Sequence, residues 1–170
     1  ALKSVNSVNW MIKSDFSFAH IENVKFGKEV KIVEPVNIYE WSIGDYTFIG
    51  PFVEIQKNVK IGKNCKIQSH SFICELVTIK DYVTVGHGVM FINDSFATGG
   101  PAHGDKGLWK PTFIGENVSI GSNATILPVK ICPNVVVGAG AVVTKDISIP
   151  GIYAGNPAKF IRRIKHDKIS

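Results

Sequence analysis

Residues 43–96 can be written as nine lines of six: IGDYTF, IGPFVE, IQKNVK, IGKNCK, IQSHSF, ICELVT, IKDYVT, VGHGVM and FINDSF. The first column, Ile43, Ile49, Ile55, Ile61, Ile67, Ile73, Ile79, Val85 and Phe91, contains no polar residue. The fifth column, from Thr47 through Val53, Val59 and Cys65 to Ser95, contains only small ones, and glycine follows the first column at Gly44, Gly50, Gly62 and Gly86. The beat resumes at Ile114, Ile120 and Ile126, slips by one residue, and continues at Ile131, Val137 and Val143; a similar slip separates Ile38 from Ile43.

A period of six fits neither the 3.6-residue helix nor a long strand of period two. It is the period of a parallel β-helix, in which each unit supplies a short strand and a corner and three units close one coil. Coils stack at the interstrand spacing of about 4.8 Å. The beat residue then points inward, and burying one Ile or Val side chain is worth roughly 1.5–3 kcal/mol. Gly and Asn at the corners are expected to supply the positive φ of a sharp bend.

The composition, 45% hydrophobic and 19% charged over 170 residues, fits a single domain spanning 1–170, with the β-helix over about residues 21–150. No apolar run approaches a membrane span, and Ala1 to Phe18 lacks the continuous apolar stretch of a signal peptide. The three cysteines, Cys65, Cys74 and Cys132, form no C-x-x-C pair and suit a reducing cytoplasm better than a disulfide or metal site. The net charge is +5, and Lys159, Arg162, Arg163, Lys165 and Lys168 crowd the last dozen residues. There Phe160, Ile161 and Ile164 fit one side of a short helix over about residues 157–167, expected to cap the coil and attract a phosphate-rich ligand. No aromatic residues interleave with these bases, which argues against nucleic acid.

The beat breaks at Asn93 and Asp94. Positions eighteen apart lie above one another, so Glu75, two past Ile73, should neighbour Asn93, two past Phe91. Two carboxylates and a carboxamide then share one corner, beside the place where the chain leaves the coil. The excursion over residues 95–112, SFATGGPAHGDKGLWKPT, is rich in Gly and Pro and carries His103, Asp105 and Trp109. An insertion of that length in a compact repeat usually serves function. Two acids held close would repel, leaving one able to take a proton near neutral pH.

The runs VGHGVMFIND, IGSNATILPVKI, VVVGAGAVVTKDI and AGNPAKFIRRI, with the GGPAHGD loop, resemble the hexapeptide-repeat N-acyltransferases of nucleotide-linked amino sugars, the anthrose-pathway N-acyltransferase type included. The resemblance covers nearly all of the chain from Ile32 onward. It implies a left-handed coil, a homotrimer with active sites between subunits, and acyl-CoA as co-substrate without a metal. It also implies an acceptor bearing a 3- or 4-amino group on a dideoxy sugar, most often linked to dTDP. In its terms Glu75, Asn93 and Asp94 surround the reacting amine, with Asp94 as base, and His103 and Asp105 lie in a loop that helps bind the nucleotide sugar. Gly138, Ala139 and Gly140 line the pantetheine arm, and Lys145, Lys159 and Arg162 meet the phosphates of coenzyme A.

Two other readings compete. His87, two past Val85 and on a different edge from Glu75, could contact the acceptor or serve as the base of an O-acetyltransferase, as in many hexapeptide enzymes that acylate hydroxyls. A β-helix could also serve assembly without catalysis. A zinc site built from His70, His87 and His103 is disfavoured by their spacings of seventeen and sixteen.

Overall fold

The computed structural model describes residues 3–5 and 19–164. The repeating units wind into a three-sided prism of stacked parallel strands. One face carries Val30–Ile32, Phe48–Ile49, Lys66–Ile67, Thr84–Val85, Ser119–Ile120, Val135–Val137 and Gly151–Ala154. A second carries the end of Val36–Ile43, then Lys60–Ile61, Val77–Ile79, Thr112–Ile114 and Lys130–Ile131. The third carries the start of Val36–Ile43, then Val53–Ile55, Phe72–Ile73, Met90–Phe91, Thr125–Ile126 and Val142–Val143. The five-residue step from Ile38 to Ile43 has a visible consequence: Val36–Ile43 runs unbroken around that edge and joins two faces into one sheet.

The register is the one the period demands. Ile79 pairs with Ile61, eighteen residues earlier, and Ile73 with Ile55. Every beat residue from Ile43 to Phe91 is buried, so the core is a column of aliphatic side chains closed at the corners. The small series is buried with it from Thr47 to Val89, and Thr47 and Ser71 satisfy their hydroxyls on the carbonyls of Gly62 and Gly86. Ser95 is the first member to fall outside the prism.

The corners divide their labour differently from the sequence expectation. Positive φ falls, as expected, to Gly88, Gly140, Asn58, Asn64, Asn117, Asn123 and Asn134, but equally to Tyr46, Phe52, His70, Leu76 and Tyr82. The glycines after the beat answer a different need, the close approach of successive coils: a Cβ on Gly44 would lie 2.5 Å from the backbone of Gly62 and Lys63. Leu76 takes φ 71°, whereas Asp94, eighteen residues on, is not left-handed. The chain therefore does not turn at Asp94, and the coil opens there.

The C-terminal expectation is corrected. In place of a helix, Lys159–Arg162 forms a strand antiparallel to Gly151–Ala154, turning at Gly155 with φ 96°. The last coil leaves an open edge of N–H and C=O groups, and a returning strand satisfies them where a helix would not. Phe160 meets the ring of Tyr153 edge-on at 5.4 Å. Residues 165–167 of the expected helix lie outside the described residues. At the other end Lys3–Val5 pairs antiparallel with Val30–Ile32, an element the six-residue period does not signal.

Candidate active site at the acidic corner

Glu75 and Asn93 meet as their spacing requires, with the Asn93 Nδ2 donating to the Glu75 carbonyl oxygen at 3.4 Å. Each of the two acids is claimed by the excursion. Asp94 accepts from the Phe96 N–H at 2.9 Å through Oδ1 and from the Ala102 N–H at 2.8 Å through Oδ2. Glu75, only 8% exposed, receives the Lys106 ammonium on both oxygens, at 3.1 and 2.9 Å. Asn93 completes the set through its carbonyl, which accepts from the Lys110 N–H at 3.0 Å. All three corner residues thus anchor the loop that begins beside them.

Lys106 was invisible to the period because it belongs to the segment without one. It opens a one-turn 3-10 helix, Lys106–Leu108, capped by the Asp105 carboxylate, which accepts from the Gly107 N–H at 2.9 Å. Asp105 is thereby a local cap, and His103 is exposed at φ 49°. The Lys106 ammonium also stands over the Trp109 ring, 5.3 Å from its centroid. The excursion ends at residue 111, because Thr112 is already a buried strand residue.

Below Glu75, one coil down, the Gln56 Oε1 accepts the Glu75 N–H at 3.3 Å. Tyr39 lies in the same corner: burial first, then the charges of Glu54 and Glu75, push its phenol above the ordinary value, so it remains a neutral donor. The corner sets one buried carboxylate, its charge met by the Lys106 ammonium, beside the half-buried Asp94 carboxylate and the polar groups of Gln56, Asn93 and Tyr39.

Lys145, His87 and the Gly138, Ala139 and Gly140 run sort onto two edges of the third face. Register carries the column Ile73, Phe91, Ile126 and Val143, so Lys145 shares the edge of Glu75 and Asn93, two coils beyond Asn93. Register through Val85, Ile120 and Val137 puts His87 on the opposite edge together with Gly138, Ala139 and Gly140. His87 Nδ1 and Ser69 Oγ share a hydrogen bond at 2.8 Å, and His70 stacks on Phe52 at 4.8 Å. The Gly138 N–H is committed to the Tyr153 carbonyl and the Gly140 N–H to that of Ser122. Lys159 and Arg162 are exposed on the terminal strand. Among the described residues no three His, Cys, Asp or Glu side chains gather as a metal ligand set, and no helix is long and apolar enough to cross a membrane.

The chain matches the bacterial transferase hexapeptide model, of six repeats, over residues 42–75, and the hexapeptide repeat of succinyl-transferase over residues 111–145. It is 29% identical over 164 residues to the bifunctional protein GlmU of Fervidobacterium nodosum, covering 85% of this chain and 33% of that protein. The chain spans between 24% and 57% of the length of the curated relatives it matches. Among solved structures it resembles an aspartate-substituted variant of AntD, an N-acyltransferase from Bacillus cereus in complex with dTDP and coenzyme A. There the TM-score is 0.72, the identity 23% and the coverage 84% of both chains, a likeness of fold. A galactoside acetyltransferase in complex with coenzyme A matches at TM-score 0.61 and 30% identity, covering 85% of this chain and 66% of that one.

Proposed function

We propose that this chain, a member of the hexapeptide-repeat acyltransferase family, moves an acyl group from acyl-CoA to the 3- or 4-amino group of a nucleotide-linked, dTDP-type amino-dideoxy sugar. The observation that carries the reading is the corner itself: a buried carboxylate already holding an ammonium ion, with a second carboxylate one residue past its stacked neighbour. Such a corner is shaped for a cation, and an amine acceptor arrives as one.

Amide formation needs the nitrogen lone pair free. The amine attacks the thioester carbonyl carbon, the C–N bond forms, the C–S bond breaks, and coenzyme A leaves as the thiolate and takes up a proton. Asp94 accepts the ammonium proton whose loss frees that lone pair, and the second proton shed by nitrogen passes to the departing thiolate. Its two oxygens each accept one backbone N–H, which leaves lone pairs for a third partner. Glu75 orients the incoming ammonium, Asn93 holds the corner's backbone, and His103 and Asp105 line the loop that covers the sugar nucleotide. Gly138, Ala139 and Gly140 take the pantetheine arm, and Lys145, Lys159 and Arg162 meet the phosphates.

The placing of Gly138, Ala139 and Gly140 on the edge opposite Glu75 and Asn93, with Lys145 on the acceptor edge, supports a homotrimer in which the acceptor edge of one subunit faces the glycine-bearing edge of the next. The column Phe72, Met90, Thr125 and Val142 faces outward between those edges and gives that contact an apolar strip. A cytoplasmic location accords with the three free thiols.

The Ser69 to His87 hydrogen bond favours a second reading, in which His87 activates a hydroxyl acceptor. One screen separates the two: dTDP-linked 3- and 4-amino sugars and their hydroxyl counterparts against acetyl- and longer acyl-CoA donors, with thiol release as readout. Release confined to hydroxyl acceptors would replace the amide reading with the second. Charge reversal at Lys159 and Arg162 should raise KM for the donor, and an unchanged KM would remove both from the site.

A further inference from the structure

We propose that Lys106 is a specificity-determining residue of the acidic corner, its ammonium occupying the amine subsite at Glu75 until an acceptor carrying its own ammonium takes its place. The inference rests on the amine-acceptor reading above.

The two partners of this ion pair are held very differently. Glu75 is fixed by the coil, with a side chain 10% exposed, whereas the Lys106 side chain is 53% exposed and comes from a 3-10 turn with no buried residue. Both carboxylate oxygens converge on one Nζ, which defines a subsite the size of a single ammonium group. A buried carboxylate without a countercharge is strongly unfavourable, so this subsite is not left vacant; it exchanges one cation for another. The departing Lys106 has a second place to go, because its Nζ already lies over the Trp109 ring. A Cβ placed on Gly99, Gly100 or Gly104 would meet nothing within 4 Å beyond its own chain neighbours, so the strap has open space around it in which to swing.

Exchange gives selectivity. An amino sugar replaces the ammonium it displaces, while a hydroxyl sugar of the same shape would strip Glu75 of its partner and supply no charge in return. Lys106 therefore imposes one displacement cost on both acceptors, which the amino sugar repays at Glu75 and the hydroxyl sugar does not.

The first test uses no acyl donor. Lys106→Met lowers Tm by leaving Glu75 unpaired, and cyclohexylammonium at neutral pH restores it, whereas cyclohexanol does not. Wild type responds to the cation only at about tenfold higher concentration, and the Lys106→Met, Glu75→Gln double variant shows no cation-specific response. Equal effects of ammonium and alcohol on Lys106→Met, or no effect of either, would overturn the proposal. If Lys106→Met does not fold, Lys106→Gln carries the same comparison. The second test is kinetic. With a dTDP-linked 4-amino sugar, Lys106→Met lowers KM about tenfold and Lys106→Arg behaves as wild type; a KM that rises in Lys106→Met for amine and hydroxyl acceptors alike makes Lys106 a loop anchor only. Cation rescue without transfer to any amino sugar would leave the exchange intact and refute the proposed reaction, so the two failures are distinguishable.

Discussion

The coils and the excursion over residues 95–111 are built on opposite principles. In the coils each residue's surroundings follow from its position in the six, and each strand finds its partner one coil away, as Ile79 finds Ile61. In the excursion the hydrogen bonds are local or go to the corner: Gly99 to Phe96, Leu108 to Asp105, and the three contacts with Asn93 and Asp94. Ala102 is its one buried hydrophobic side chain. A segment with so little core opens at small cost, which is what a ligand-admitting strap requires. The lesson is that the rigid part of the molecule supplies the carboxylates and the pliable part supplies the cation that guards them.

The largest expected effect lies at the joint between the two. Asp94→Asn should lower amide formation by about 10²–10⁴ as the base is lost. It should also loosen the loop, since one amide oxygen replaces two carboxylate oxygens that now receive the Phe96 and Ala102 N–H groups. Glu75→Gln should lose less and His87→Ala least. Near-normal amide formation by Asp94→Asn with collapse in His87→Ala would transfer the chemistry to the other edge.

Next comes a pure coil substitution. Phe91 is fully buried directly beneath the corner, and Phe91→Ala should cost about 3–5 kcal/mol in urea unfolding. A loss below about 1 kcal/mol would mean that the column is not packed as a core.

Trimming Gly99 to Gly107 should have a smaller effect on stability and a selective one on acceptor binding. The coils keep their own hydrogen bonds, but Glu75 loses Lys106. Circular dichroism together with KM for each substrate would separate the two, and a collapse of the β signal would make the loop part of the fold.

The smallest effect is a pH limb set by the coil interior. Burial first of all pushes the Cys65 thiol up to about 11 and the Cys74 thiol up to about 12, from the ordinary 9.0. Both are held protonated by the folded state, so their contribution is full below the ordinary thiol value and is lost as pH rises from there through about 11 and 12. At a pH of about 8, below the ordinary thiol value, a disulfide reagent should modify the partly exposed Cys132 quickly and the other two only on unfolding. Fast reaction of Cys74 in the folded protein would show that the wall beside Glu75 opens.

Legibility followed the same division. The meeting of Glu75 with Asn93 was readable because both stand two places past a beat residue, and a fixed period makes sequence distance a spatial coordinate. The C-terminal strand was not, because Phe160, Ile161 and Ile164 satisfy a helical face as well as an extended one; only the open edge of the last coil decided between them. Lys106 was not, because a carboxylate attracts any cation in reach and the sequence does not say which loop residue reaches it.

What the sequence determined by itself is the periodic part: a parallel β-helix, its register, its inward column, and the edge on which each corner residue stands. These follow from steric and hydrophobic rules that act over six residues and repeat without reference to the rest of the chain. Tertiary structure alone decided that Asp94 declines the left-handed turn Leu76 makes, that its carboxylate holds the loop instead, and that Glu75 is paired with Lys106, thirty-one residues away. Those are choices among partners of similar chemistry, and they are settled by distance and burial, which exist only once the chain has folded.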